Sequence, residues 1–288
     1  MIPRLTYPLL FLGVLCMATS SILVRYSTAP SIIIAFFRLG TTAVLGSGLT
    51  IGTGQNLTFK PKQLGLASLA GFFLALHFAF WITSLSYTSI ASSVLFTNLQ
   101  VVFVWLFSVV LLKESVTRQA AIGIIIAVGG SVLVGGGDFF HGHLKGDLIS
   151  LASGLFIAIY LLIGRYIRKD LDIWPYTTLV SAFAALILAF YALITGLSFT
   201  GYPSIDYLLF GLMALIPGLG GHAVLNWALK YLKAPLVAVS ILGESVGASI
   251  LGYMFFNEGL AWFQIIGGVL ILAGIYLAVS RDAGKAED

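Results

Sequence analysis

Long apolar segments separated by short polar turns run through the whole chain. Ten of them approach the roughly 20 residues that an α-helix needs to cross a bilayer core: residues 7–25, 31–51, 64–83, 91–112, 120–136, 148–164, 174–196, 207–228, 235–256 and 260–279. The first is as long as its successors and lacks a small-residue cleavage site, so we interpret it as a retained helix and not a signal peptide. The pattern predicts an all-α integral membrane protein with ten transmembrane helices.

The composition supports the same class of protein. Hydrophobic residues make up 59% of the chain and charged residues 9%, whereas a soluble domain carries about 25% charged residues. A chain so poor in charge cannot cover a water-facing surface. Lysine and arginine are spread over many loops and do not form one stripe, so no nucleic-acid partner is predicted.

The loop charges predict an orientation in the membrane. With the N-terminus in the cytoplasm, twelve of the fifteen lysines and arginines fall on the cytoplasmic side, as the positive-inside rule requires. Of the others, Arg25 and Lys145 lie on the outer side and Arg38 lies within the second helix. We therefore expect both termini in the cytoplasm and a multi-pass location in the cell (inner, cytoplasmic) membrane.

An internal repeat relates the two halves of the chain. Residues 84–136 align without a gap with residues 228–280, and four residue types recur 144 positions later: Tyr87, Glu114, Gly123 and Gly130 correspond to Tyr231, Glu258, Gly267 and Gly274. Five helices per half is an odd number, so the second half enters the membrane upside down, an arrangement typical of secondary transporters. We divide the chain into a first five-helix repeat (1–137), an outer connecting loop (138–147), a second, inverted five-helix repeat (148–280) and a cytoplasmic tail (281–288).

Short motifs in both halves carry a family resemblance. They are Phe36-Phe37-Arg38, the run from Leu76-His77-Phe78 through Trp81 to Ser89, Lys113-Glu114 with the Gly-rich fifth helix, and the run from Gly221-His222 through Asn226-Trp227 to Gly243-Glu244. These motifs resemble the EamA-type families of the drug/metabolite transporter superfamily, over essentially the whole chain. The resemblance implies a ten-helix inverted-repeat carrier, commonly an exporter of amino acids or related metabolites. Ser245 departs from the pattern, because relatives often have proline there.

Glu244 is the first candidate for chemistry, because charged side chains at membrane depth are costly. It lies ten residues into the ninth helix, close to the midplane, and its repeat partner Gln100 lies at the same depth in the fourth helix. The pair is expected to flank the pseudo-twofold axis and line a cavity. A structural carboxyl group, neutral or paired with Arg38, is the alternative. Arg38 itself is assigned either to an ion pair or gate with Glu244 or to contact with a substrate carboxylate.

Two further pairs predict cavity walls. His77 and Trp81 are one turn apart on the third helix, and His222 and Asn226 are one turn apart on the eighth. The repeat places the two pairs as mirror features, so we expect them at opposite mouths of one cavity, with packing residues as the alternative. Pro217 and the glycines after it are expected to interrupt the eighth helix. Phe80, Phe96 and Tyr160 complete the predicted aromatic walls.

Other signals are weak. His141 and His143 with Asp138 and Asp147 match no strong metal-ligand spacing, and the glycosylation sequon at residues 56–58 falls in a predicted cytoplasmic loop. No phosphate-binding loop or nucleophile motif is present, so no cofactor is expected. A monomer is expected to suffice, with a dimer left open.

The balance of these features favours a secondary transporter of small metabolites, working by alternating access. One deep acid, one deep base, two histidines and aromatic walls suit a zwitterionic or amphipathic solute such as an amino acid, with proton coupling through Glu244 as one option. An exporter is the favoured direction. A membrane-embedded enzyme, a channel and a facilitative exchanger without ion coupling are the alternatives; an enzyme would need a cluster of acid, base or metal ligands that the chain lacks.

Overall fold

Ten helices long and apolar enough to cross a membrane make up the structure. It is a computed structural model that describes residue 3 and residues 5–56, 58–88, 90–135, 144–257 and 259–284. The helices are α1 Thr6–Tyr26, α2 Ser31–Gly52, α3 Pro61–Ser84, α4 Ser92–Leu112, α5 Arg118–Gly135, α6 Leu144–Ile167, α7 Ile173–Ile194, α8 Ser204–Ala228, α9 Ala234–Phe256 and α10 Trp262–Gly284. They confirm the predicted class and helix number. We call the side where α1 begins and α10 ends the terminal face, and the other side the far face.

Helix boundaries follow the local chemistry closely. Pro30 and Pro203 immediately precede α2 and α8, and Pro61 is the first residue of α3. At α3 the Gln63 side chain accepts a hydrogen bond from the Lys60 N–H at 2.9 Å, which moves the start ahead of the predicted residue 64. α6 begins at Leu144, four residues before the predicted position.

The repeat is visible in the backbone itself. α4 and α9 both end on a left-handed residue, Lys113 with φ 54° and Asn257 with φ 53°, and these two positions are 144 residues apart. The N–H of each donates to the carbonyl five residues earlier, that of Ser108 and of Gly252. A lysine rarely adopts this conformation, so the shared geometry reflects the repeat and not the residue type. Glu114 follows Lys113; its repeat partner Glu258 lies outside the described residues.

The two halves interleave instead of forming separate bundles. α1 packs on α8 and α9, and the repeat-related α6 packs on α3 and α4. α2 packs on α7, and α5 packs on α10 along most of its length. Every one of these contacts joins one half to the other, so the inverted repeats share a single core.

Four glycines make the α5–α10 contact close. A Cβ atom on Gly123 would lie 2.5 Å from the Gly274 carbonyl oxygen, and one on Gly130 would lie 2.5 Å from that of Gly267. Small residues are what allow two transmembrane backbones to approach this far. These are the same four glycines that mark the sequence repeat. Gly123 meets Gly274, the repeat image of Gly130, and Gly130 meets Gly267, the repeat image of Gly123. We call this contact the glycine seam.

Candidate functional site

A narrow cavity of about 30 Å³ lies between helices of both halves, near the middle of α4 and α9. It brings together five of the residues predicted from sequence: His77, Trp81, Gln100, His222 and Glu244. Ser20, Phe78 and Asn98 also line it. We call it the central cavity. Its position between repeat-related helices is where inverted-repeat transporters place their substrates.

A second cavity of about 20 Å³ lies beside the first, among α2, α3, α6, α7 and α8. Arg38, Tyr160, Asn226 and Thr177 line it. Phe78 and His222 line both cavities. The predicted site residues are therefore divided between two adjacent compartments.

Phe78 forms the partition. Its ring centroid lies 4.4 Å from the Arg38 guanidinium carbon, 4.9 Å from the His77 ring and 5.4 Å from the His222 ring. The two predicted histidines therefore contact the same buried phenylalanine. Their placement at opposite mouths of one cavity stays a prediction.

Arg38 lines the second cavity, whereas Glu244 lines the central one. Its side chain is 1% exposed, Nη1 donates to the Ser20 hydroxyl at 2.5 Å, and the guanidinium stacks on Phe78. Within the described part of the chain Arg38 forms no ion pair with Glu244, so the predicted pair is not made in this conformation. The Arg38 Nη2 group is buried without a hydrogen-bond partner.

Gln100 and Glu244 each follow a local tightening of their helix. Around Leu99 in α4 and Leu242 in α9 the backbone bonds change to the i→i−3 pattern: Val102 N–H donates to Leu99, and Leu242 N–H donates to Val239. A short 3₁₀ stretch inside a helix often marks a hinge. The tightened turns lie at nearly the same repeat position, so they bracket the central cavity from both halves.

The two side chains differ in environment as well as in charge. Gln100 is 2% exposed and its Oε1 has no partner, while the Glu244 carboxylate makes no hydrogen bond to any described residue. Between the helices, Asn98 Nδ2 donates to the Ser245 hydroxyl at 2.6 Å. Ser245, the residue that departs from the family pattern, thus ties α9 to α4 beside the cavity.

His77 is satisfied by its own surroundings. Its Nδ1 lies 2.8 Å from the Ser153 hydroxyl of α6, and that hydroxyl also lies 3.1 Å from the His77 carbonyl oxygen. The ring is stacked on Trp81 at a centroid distance of 6.5 Å. His77 therefore both packs against α6 and lines the central cavity.

The second cavity is sealed toward the terminal face by a polar network. Asn226 Nδ2 donates to the Tyr160 hydroxyl, and Arg168 Nε donates to the Asn226 carbonyl at 3.1 Å. Arg168 lies just past the end of α6 and also donates to the Leu171 carbonyl. Burial lowers the pKa of Arg168. The network joins α6, α8 and the α6–α7 turn under the cavity.

Hydrogen bonds link neighbouring segments at both faces beyond the cavities. On the terminal face Glu114 accepts bonds from Arg165 Nε at 2.7 Å and from the Ala234 N–H at 3.2 Å, which links the α4–α5 turn to the start of α9. On the far face Asp147 accepts from the hydroxyls of Thr88 at 2.8 Å and Ser92 at 2.7 Å. The far face also holds Asp206, bonded to the Ser27 and Thr28 hydroxyls.

Some expectations from sequence are not met. Phe96 lines neither cavity, and Phe80 lines a separate apolar cavity with Tyr191. α8 is not unwound after Pro217 but continues as a π-helix over Ala214–Ala223. Of the weak metal candidates, Asp138, His141 and His143 lie outside the described residues, as does Leu57 of the sequon. Among the residues that are described, no cluster of His, Cys, Asp and Glu could hold a metal ion.

The site residues that sequence reasoning missed are mostly uncharged. The Phe78 ring contacts the rings of His77 and His222. In the sequence, however, an apolar residue on an apolar helix does not stand out as a site residue. Ser20 and Asn98 carry no charge, and their roles depend on Arg38 and Ser245 from distant parts of the chain. Arg168 could have been identified as a candidate site residue, because it is a basic residue shortly after the predicted sixth helix.

Comparison with known proteins gives concordant results. The model of the EamA-like transporter family matches residues 4–136 and again residues 144–280. An uncharacterized transporter of Archaeoglobus fulgidus is 27% identical over 270 residues, 93% of each chain. The Homo sapiens protein named solute carrier family 35 member G1 is 28% identical over 201 residues, which cover 64% of this chain and 54% of that one. A crystal structure with a TM-score of 0.77 and 16% identity covers 95% of this chain and 98% of its own, and shows the likeness of fold.

Proposed function

Because the chain belongs to the EamA-like transporter family, matched once in each half, we propose that it is a secondary transporter that carries small amphipathic metabolites such as amino acids through its centre by alternating access. The observation that carries this proposal is the pair of cavities on either side of Phe78. One holds a carboxylate, Glu244, and the other holds a guanidinium, Arg38. A zwitterionic solute offers the complementary charges.

The conformation described is closed to such a solute. Each cavity is small, about 30 and about 20 Å³, whereas pockets that hold small molecules have volumes of roughly 300–1,000 Å³. Hydrogen bonds also tie segments together at the terminal and far faces. Passage then requires helix movement, and the tightened turns at Leu99 and Leu242 supply hinges beside the cavity.

Glu244 is our candidate for coupling to protons. A low-dielectric site disfavours the charged form of a carboxyl group, and the Glu244 carboxylate has no hydrogen-bond partner among the described residues to offset that cost. Protonated, it becomes equivalent to its repeat partner Gln100, and the cavity can close without burying a charge. Ionised, it favours an open, hydrated state.

Uptake of radiolabelled amino acids by proteoliposomes, with and without a pH gradient, tests both statements. Glu244→Gln should retain solute exchange but lose its pH dependence and proton-driven accumulation. Asp172→Asn is the matched control, because this carboxylate is 61% exposed and lies near the terminal face. Absence of transport for every amino acid would reject the solute class. A wild-type pH profile in Glu244→Gln would favour facilitative exchange instead.

The loop charges support a cytoplasmic terminal face. Outward flux and insertion in the cytoplasmic membrane belong to the same proposal and rest on the resemblance to the EamA-type families. In a Cys16→Ala background, a cysteine at Ser204 should react in intact cells with an impermeant thiol reagent, and one at Asp170 should not. Ser204 begins α8 on the far face, and Asp170 follows α6 on the terminal face. Labelling of the Asp170 variant alone would reverse the proposed orientation.

A further inference from the structure

The second cavity collects polar atoms that have no hydrogen-bond partner. Arg38 Nη2, Thr177 Oγ1 and Asn226 Oδ1 are all buried and have no hydrogen-bond partner among the described residues, and all three residues line this one cavity from α2, α7 and α8. They are 1%, 5% and 3% exposed. Buried polar groups are nearly always paired, so three such atoms around one space point to a polar ligand.

The charge of the site selects the kind of ligand. A buried charge is ordinarily paired, yet no carboxylate of a described residue bonds to Arg38, whose guanidinium bonds the Ser20 hydroxyl and stacks on the Phe78 ring. Arg168, below the cavity, adds a second positive charge through its bond to the Asn226 carbonyl. The surroundings are therefore cationic and favour an anion.

Asn226 can adapt to the same ligand. Rotating its amide by 180° exchanges Oδ1 and Nδ2, and the Tyr160 hydroxyl then donates to Oδ1. The Nδ2 group becomes the unsatisfied atom and offers N–H donors. Guanidinium, hydroxyl and amide groups together can surround the two oxygens of a carboxylate, and the guanidinium fork matches that shape.

We infer that the second cavity is a subsite for the carboxylate group of the transported solute, with Arg38 as its cation, Thr177 as a hydroxyl donor and Phe78 as the partition from the acidic central cavity. This inference rests on the proposed function and narrows its substrates to solutes with a carboxylate. Phe78 must turn aside for one solute to occupy both cavities, which makes its ring a determinant of solute length.

The Thr177 hydroxyl allows a clean test. It has no hydrogen bond to lose, so Thr177→Val should fold as the wild type does, whereas replacing Arg38 also breaks its bond to Ser20. Thr178→Val is the matched control: it is the next residue on α7, and its hydroxyl lies 3.4 Å from that of Thr50, away from the cavity. A hydrogen bond to a charged group contributes enough to shift affinity by about tenfold.

The experiment measures the thermal stability of the purified full chain against increasing acetate, with acetamide as the neutral probe and chloride at equal ionic strength. Acetate should stabilise the wild type and Thr178→Val, and about tenfold more acetate should be needed for Thr177→Val. Acetamide and chloride should have no such effect. Equal acetate dependence in both variants, or acetate no better than chloride, would overturn the subsite.

Transport data separate this result from the proposed function. If leucine and leucinamide are taken up equally by proteoliposomes, the carboxylate subsite is wrong while amino-acid transport stands. If acetate binds as expected and no amino acid is transported, the subsite stands and the proposed solute class fails.

Discussion

The glycine seam and the α4–α9 pair are two versions of the same relationship. Each joins a helix to its own image in the other half, across one pseudo-twofold axis. In the seam the paired residues are identical, and the backbones touch at Gly123 with Gly274 and at Gly130 with Gly267. In the α4–α9 pair the repeat-related residues have diverged. Gln100 corresponds to Glu244, and Asn98 corresponds to Leu242.

The difference separates scaffold from site. A backbone contact without intervening side chains leaves no freedom to slide, so the seam suits a fixed support. The α4–α9 pair encloses a cavity, has a tightened turn in each helix and is tied by one hydrogen bond, from Asn98 to Ser245. Symmetry is kept where the halves must stay together and lost where one solute, itself asymmetric, must be held.

The largest expected effect comes from filling the seam. Gly130→Ala would place a methyl group 2.5 Å from the Gly267 carbonyl oxygen and 2.8 Å from the Ile271 nitrogen. Neither backbone atom can turn aside, so we expect a loss of about 3 kcal/mol or more in stability. Gly129→Ala is the control, because its methyl group would meet nothing within 4 Å. Equal melting temperatures in detergent for the two variants would mean that the seam yields readily.

A smaller effect is expected at the diverged pair. Asn98→Leu gives α4 the residue that α9 has at the corresponding position, and it leaves the buried Ser245 hydroxyl without its donor. The cost should be about 1–3 kcal/mol. Adding Ser245→Ala removes the stranded hydroxyl and should recover part of the loss. Additive losses in the double variant would show that this hydrogen bond does not couple the two helices.

The fold was largely predictable because its signals are local. Each helix is a long apolar stretch, prolines mark several starts, and the repeated Glu and glycine positions give the two halves. What could not be predicted is how the halves meet. The four glycines marked the repeat in the sequence, but nothing in a spacing of seven residues says that Gly130 touches Gly267 instead of Gly274.

The site was predicted in part for a similar reason. His77, Trp81, Gln100, His222 and Glu244 do share one cavity, because depth along a helix can be counted. The rotation of a helix about its axis cannot be counted in the same way when the helix is apolar on all sides, and Phe80 and Phe96 line neither cavity. The place of Phe78 between the cavities depends on its contacts with Arg38 of α2 and His222 of α8, which only the assembled core defines.

The glycine seam also has a consequence for how such a chain can arise. Gly123 meets Gly274, and Gly130 meets Gly267. In terms of the repeat, both contacts join the same two positions, once in each direction. In the language of assemblies the contact is isologous, the kind by which two identical subunits form a closed dimer. A single five-helix unit therefore carries both sides of this contact on one helix, and two copies inserted in opposite orientations could pair through it. Fusion into one chain fixes the ratio and the relative orientation of the two copies. Each copy can then acquire residues that the other lacks.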